Sequence, residues 1–173
     1  MDTKILSRMQ ALCSRREYCS ADIVRKLTTS SRACASRTAA AGSSAAVPPP
    51  LTSDQIQEIL SALKKDKFLD DARYARAFVR DKSVLSGWGA RKIRCALMAK
   101  GLDEQVINQA LSSLDEEQVQ ERMEKVLSVK HKSLKNDPKV REKLIRFGLS
   151  RGYAYDELAD CVSRLLSYCE SEG

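Results

Sequence analysis

One spacing occurs three times in this chain: an aromatic residue, an apolar residue five positions later and another nine positions later. The copies are Tyr18, Ile23 and Leu27; Trp88, Ile93 and Leu97; and Tyr153, Leu158 and Val162. In each copy the two apolar members are four residues apart, so they stack on one helix face, and the aromatic falls at the bend before that helix. The aromatics are 70 and 65 residues apart, room for roughly three helices of ordinary length per copy. A helix pair of this kind has too little apolar surface to bury its own face and needs its neighbours. The spacing therefore predicts an all-α protein, an elongated tandem array of three-helix, helix-turn-helix-like repeats. Tyr18, Trp88 and Tyr153 are read as turn-packing aromatics, and base stacking is the alternative for Trp88, which stands among arginines.

Start and stop signals place the helices. Ile5, Leu6, Met9, Leu12 and Cys13 keep the helical period, as do Ile23, Val24 and Leu27, with Ser20 the expected cap. Thr52 and Gln55 form a capping box ahead of Ile56, Ile59, Leu60 and Leu63, and Leu51 is placed to staple onto Ile56. Asp70 is the expected N-cap of a helix whose apolar face is Tyr74, Ala75, Phe78, Val79 and Leu85; it runs to Gly87, where glycine accepts positive φ. Trp88-Gly89 turns the chain into a helix bearing Ile93 and Leu97 that ends at Gly101, and Asp103 and Asp115 cap the next two. Pro138 is expected as the first residue of a further helix ending at Gly152. Tyr153 to Asp156 open the last.

Between the second and third helices, TTSSRACASRTAAAGSSAAVPPP is small, polar and alanine-rich, without an apolar period, and cannot offset the entropy of ordering. The expected organisation is 1–27 for the first helix pair of repeat 1, 28–50 for a low-complexity disordered insert and 51–67 for the third helix of repeat 1. Residues 68–114 form repeat 2, and 115–173 form repeat 3 with a frayed C-terminal tail.

Charge is unevenly spread. Of the net +7, the first hundred residues carry ten more Lys and Arg than Asp and Glu, and the remainder three fewer. Arg73, Arg76 and Arg80 fall in a strip about 60° wide, opposite the apolar face of their helix. Arg91 and Arg94 are i, i+3 neighbours on the next helix, with Lys92 beside them off the buried seam. These six are the candidate partner- or DNA-binding residues, since an outward basic face suits nucleic acid or an acidic protein surface. The plain alternative is a solvated face with local pairing to Asp66, Asp70 or Asp81.

Chemistry has little to work with. The six cysteines, at 13, 19, 34, 95, 161 and 169, include no C-x-x-C pair, and His131 is the only histidine; no metal site, cofactor site or catalytic residue is expected. The first residues lack the apolar core of a secretory signal and no run is long enough to span a bilayer, so the expected setting is a reducing cytoplasm.

Phe68-Leu69-Asp70-Asp71, Tyr74-Ala75, Phe78-Val79, Gly87-Trp88-Gly89, Ile93, Leu97 and Gly101-Leu102 resemble the central segment of the RecX regulatory proteins, modulators of the bacterial recombinase RecA. The likeness continues more loosely through ALCSRREYCSADIVRKL and LIRFGLSRGYAYDELADCVSRLL and omits the stretch at 28–50. It implies a non-catalytic, monomeric regulator that lies in the groove of RecA filaments on DNA and hampers assembly, strand exchange and ATP hydrolysis. Single- or double-stranded DNA is a further expected partner. The shared motif is largely apolar and assigns no role to the six cations, whose choice rests on charge geometry. A stand-alone nucleic-acid-binding module built from helix pairs is the alternative, and a passive helical adaptor a third. Two departures stand out: the insert, and Gly148 inside a helix, where it costs up to ~1 kcal/mol relative to alanine.

Overall fold

Every regular element among the described residues is helical. The structure is a computed structural model that describes residues 3–29, 50–134 and 137–171, with side chains through 167. In order they form α1 (Thr3–Cys13), α2 (20–29), α3 (Ser53–Lys65), α4 (Asp71–Arg80), a π-helical turn (Asp81–Leu85), α5 (Ala90–Met98), α6 (Glu104–Leu111), α7 (Glu116–Lys132), α8 (Val140–Arg151) and α9 (Tyr155–Ser171). The α-helices fall into threes: α1–α3, α4–α6 and α7–α9. By packing, the chain divides into two units, Met1–Tyr74 and Ala75–Gly173. The insert read at 28–50 lies outside the described residues except for 28, 29 and 50. Thr28 still belongs to α2, where its hydroxyl donates back to the Val24 and Arg25 carbonyls at 3.1 and 3.0 Å. At the other end α9 runs to Ser171.

In the first unit, Met9, Tyr18, Ile23, Leu27, Ile59, Leu63 and Leu69 form one core, with Ile5, Leu6, Leu12 and Val24 against it. Apart from Tyr18 and Leu69, these are the positions the helical period marks. The capping box of α3 is complete: Gln55 N–H donates to Thr52 Oγ1 at 3.3 Å and Thr52 N–H to Gln55 Oε1 at 2.9 Å. The start of α2 differs from expectation. Its first turn is closed onto the Cys19 carbonyl, so the position that should carry a capping acceptor holds a buried thiol. Ser20, one residue in, is a donor: its N–H and hydroxyl both reach the carboxylate of Asp71, at 2.7 and 2.6 Å.

In the second unit α4 does not run on to Gly87. It gives way at Asp81 to a π-helical turn, in which the Ser86 N–H donates to the Asp81 carbonyl and the Trp88 N–H to the Lys82 carbonyl. The extra residue of a π turn rotates everything after it off the α-helical register. Leu85, expected on the buried face, is consequently 71% exposed, while Ser83 is buried. Carbonyls orphaned at the end of the turn are taken by arginines from elsewhere: Arg122 Nη2 donates to Leu85 O at 2.9 Å, and Arg151 Nη1 to Ser86 O at 2.8 Å.

The bends at Trp88 and Tyr153 meet backbone to backbone. Gly89 N–H donates to Arg151 O at 2.9 Å and Arg91 N–H to Gly152 O at 3.2 Å. Such an approach leaves no space for a Cβ on either side: one on Gly89 overlaps the Gly152 carbonyl, and one on Gly152 overlaps the Lys92 backbone. Gly148 has a similar cause, because a methyl there would strike Leu158 where α9 crosses α8. Pro138 is not the first residue of α8. It sits in the preceding turn, where Asp137 Oδ1 accepts the Lys139 N–H at 2.9 Å.

Candidate partner-binding face

The six cations singled out by sequence are of two kinds. Arg76, Arg80 and Arg91 are exposed and make no ion pair with a described residue; the first two are i, i+4 neighbours on α4. The other three are engaged within the chain. Arg73 belongs to the first unit, where Nε lies 2.7 Å from Glu17 Oε1 and both terminal nitrogens donate to Lys67 O, at 3.2 and 3.3 Å. Lys67 is the one non-glycine residue with positive φ, 57°, among those described, so Arg73 clamps the reversal between α3 and α4. Lys92 Nζ donates to Ser150 O at 3.1 Å, and Arg94 Nη1 to Asn108 Oδ1 at 2.6 Å. Of the acids expected as local partners, Asp70 caps α4, accepting the Arg73 N–H at 2.9 Å.

The three aromatics have two environments. Tyr18 and Tyr153 are buried in the cores of their units, and Trp88 is half-buried. The Trp88 ring meets Phe78 edge-on at 6.4 Å, and the ammonium groups of Lys82 and Lys92 lie over it at 5.0 and 4.8 Å from the centroid. Cation–π attraction holds both lysines there. Lys82 was not marked by sequence; it stands four residues after Phe78, over whose ring it also lies at 5.6 Å, and so reaches the Trp88 ring that Phe78 meets.

Three buried or half-buried groups elsewhere in the chain are shifted toward their neutral forms. Burial pushes the Tyr153 hydroxyl above its ordinary value, against the pull of Arg122 and Arg151. Burial, with Glu17 and Glu124 respectively, also raises the thiols of Cys13 and Cys161, so neither is a ready thiolate nucleophile. Among the described residues no three His, Cys, Asp or Glu side chains gather as a metal site, and no helix is long and apolar enough to cross a membrane.

Helical triplets without a strand among the described residues define a helical-repeat protein. Residues 70–111 match the family described as "RecX, second three-helix domain". A "Regulatory protein RecX" of Clostridium botulinum (strain Alaska E43 / Type E3) is 32% identical over 169 residues, covering 95% of this chain and 74% of the relative. The chain belongs to the RecX family. A second relative of that name, from Clostridium botulinum (strain Eklund 17B / Type B), is 40% identical over 119 residues, and the match spans 55% of its length, about half. The fold agrees with the crystal structure of RecX from Lactobacillus salivarius at a TM-score of 0.69 and 19% identity, over 94% of this chain and 95% of that one.

Proposed function

We propose that this chain is a non-catalytic regulator that binds RecA-type recombinase filaments on DNA and restrains their assembly, strand exchange and ATP hydrolysis, acting as a cytoplasmic monomer. Family membership across 95% of the chain carries the reading. Arg76, Arg80 and Arg91 are the leading contacts: they are exposed and lie within the segment matched to the family. Arg73, Lys92 and Arg94 contribute less, because each must leave an intramolecular partner before it can serve another. Many shallow charged contacts along a polymer sum to useful affinity although each is worth only ~0.2 to 1 kcal/mol.

The test is DNA-dependent ATP hydrolysis by RecA, with the chain titrated from far below one copy per recombinase subunit. Inhibition at low ratios, lost when Arg76, Arg80 and Arg91 are changed to Glu without a change in melting temperature, supports the reading. An unchanged rate at saturation overturns it. If the charge-reversed protein also loses binding to bare DNA with a steep salt dependence, while the wild type never slows RecA, the chain is a nucleic-acid-binding module instead.

A further inference from the structure

Within the second unit, the start of α5, the end of α6, α7 and α9 surround a cleft of about 1100 Å³. Its floor is apolar, from Leu111, Leu114, Val119 and Met123, and the first three of these remain only partly covered. Small residues, Ala90, Ser112, Ala154 and Ser163, line it as well. That volume lies above the usual 300–1,000 Å³ of small-molecule sites.

The rim is acidic in a chain that is basic overall. Glu116, Glu157 and Asp160 are exposed at its edge, and none is ion-paired with a described residue. Helix dipoles account for Glu116 and Glu157, which lie in the first turns of α7 and α9. Asp160 lies beyond the first turn, where that effect has faded. Of the two rim cations, Arg164 is already held by Glu124 at 2.9 Å, leaving Arg91 against three carboxylates. A nucleic acid is repelled by such an edge.

We propose that this cleft binds a short amphipathic helix of a partner protein, with aliphatic anchors on one side and Lys or Arg on its flanks. The anchors cover the exposed parts of Leu111, Leu114 and Val119, and the flanking cations meet Glu116, Glu157 and Asp160. This is helix-in-groove recognition, in which apolar anchors at helical spacing give affinity and rim charges give orientation. The site is distinct from the basic face except for Arg91, and its occupancy does not depend on the filament reading.

The probe is a fluorescein-labelled twelve-residue peptide with Leu at helical i, i+3, i+4 and i+7 positions and Lys on the flanks. It is compared with the same composition in scrambled order and with Glu in place of Lys. Saturable anisotropy is expected for the first peptide alone. Amide shifts in the labelled full chain should centre on Leu111, Val119, Ala154 and Glu157. Glu157→Lys with Asp160→Lys should weaken binding about tenfold, and Ala154→Trp, which fills the cleft, should abolish it without changing the melting temperature. Equal binding of the scrambled peptide, shifts centred elsewhere, or indifference to both variants overturns the proposal. So does a concentration-dependent shift of the same amides without peptide, which assigns the cleft to a second copy of this chain.

Discussion

The carboxylate of Asp71 takes both the backbone N–H and the hydroxyl of Ser20, at 2.7 and 2.6 Å, across 51 residues of sequence. It supplies from α4 the cap that α2 lacks at Cys19. Lys64 Nζ, 3.4 Å from Asp71 Oδ2, completes the charge balance. One side chain thus ties the start of the second helix, the end of the third and the start of the fourth. The acidic pair Asp70-Asp71, which reads in sequence as one helix start, serves two.

Asp71→Ala removes an N-terminal acceptor that nothing local replaces, and should destabilise the first unit by about 1–2 kcal/mol, the upper range for loss of a cap. Ser20→Ala loses only the hydroxyl and should cost about half as much. Denaturant titration of both variants and the double variant should show strong non-additivity, because they break the same contact. Simple addition of the two losses would show that the bond is not made in solution.

Arg73, Arg76 and Arg80 look equivalent on a helical wheel but differ in the fold. Arg73→Ala should lower stability by about 1 kcal/mol, through loss of Glu17 and of the clamp on the Lys67 carbonyl. Arg76→Ala and Arg80→Ala should stay within about 0.5 kcal/mol of wild type, as exposed substitutions do. Urea midpoints decide it: three indistinguishable variants would mean the clamp contributes nothing.

What was legible in the chain was whatever depends on neighbours in sequence. Ile23, Ile93, Leu158, Leu97 and Val162 are fully buried, as a period of four behind an aromatic requires, and the Thr52 capping box needs only four consecutive residues. What was not legible depends on groups brought from afar. The π turn ends on carbonyls capped by Arg122 and Arg151, 37 and 65 residues away, and no local pattern at 81–85 announces it. The exposure of Leu85 follows from that turn. The exposure of the six cations was only half legible for the same reason: helix geometry says which way a cationic side chain leaves the helix, not whether Glu17, Ser150 or Asn108 is waiting for it.

The meeting of two bends through glycine gives a graded prediction. Gly152→Ala suffers both a positive φ of 89° and overlap with the Lys92 backbone, which cannot swing aside as a side chain can. It should destabilise the second unit by about 3 kcal/mol or more. Gly89→Ala, strained by overlap with the Gly152 carbonyl but not by φ, should fall at about 2 kcal/mol. Gly101→Ala shares the positive φ, 71°, but meets nothing within 4 Å, and should cost about 1 kcal/mol. The sole tryptophan, Trp88, adjoins the bend, so its emission reports the unfolding of each variant. A Gly152→Ala protein no weaker than Gly101→Ala would show that the two bends do not touch.

Tyr153 gives the pH dependence. In the unfolded chain a tyrosine ionises near pH 10, and in the fold burial holds Tyr153 protonated to higher pH, Arg122 and Arg151 opposing only in part. Above about pH 10 the unfolded state therefore releases a proton that the folded state keeps. This contribution to stability is whole below pH 10 and is lost as pH rises through the folded value. Tyr153→Phe has no proton to lose. The difference in urea midpoint between wild type and Tyr153→Phe should be constant from pH 7 to 9 and then move steadily against the wild type up to pH 11. Comparing the two proteins at each pH cancels the other tyrosines and the lysines, which titrate in both. Curves that stay parallel across the whole range would mean that Tyr153 is hydrated in the folded protein, and the core beneath the second bend would then be looser than its geometry indicates.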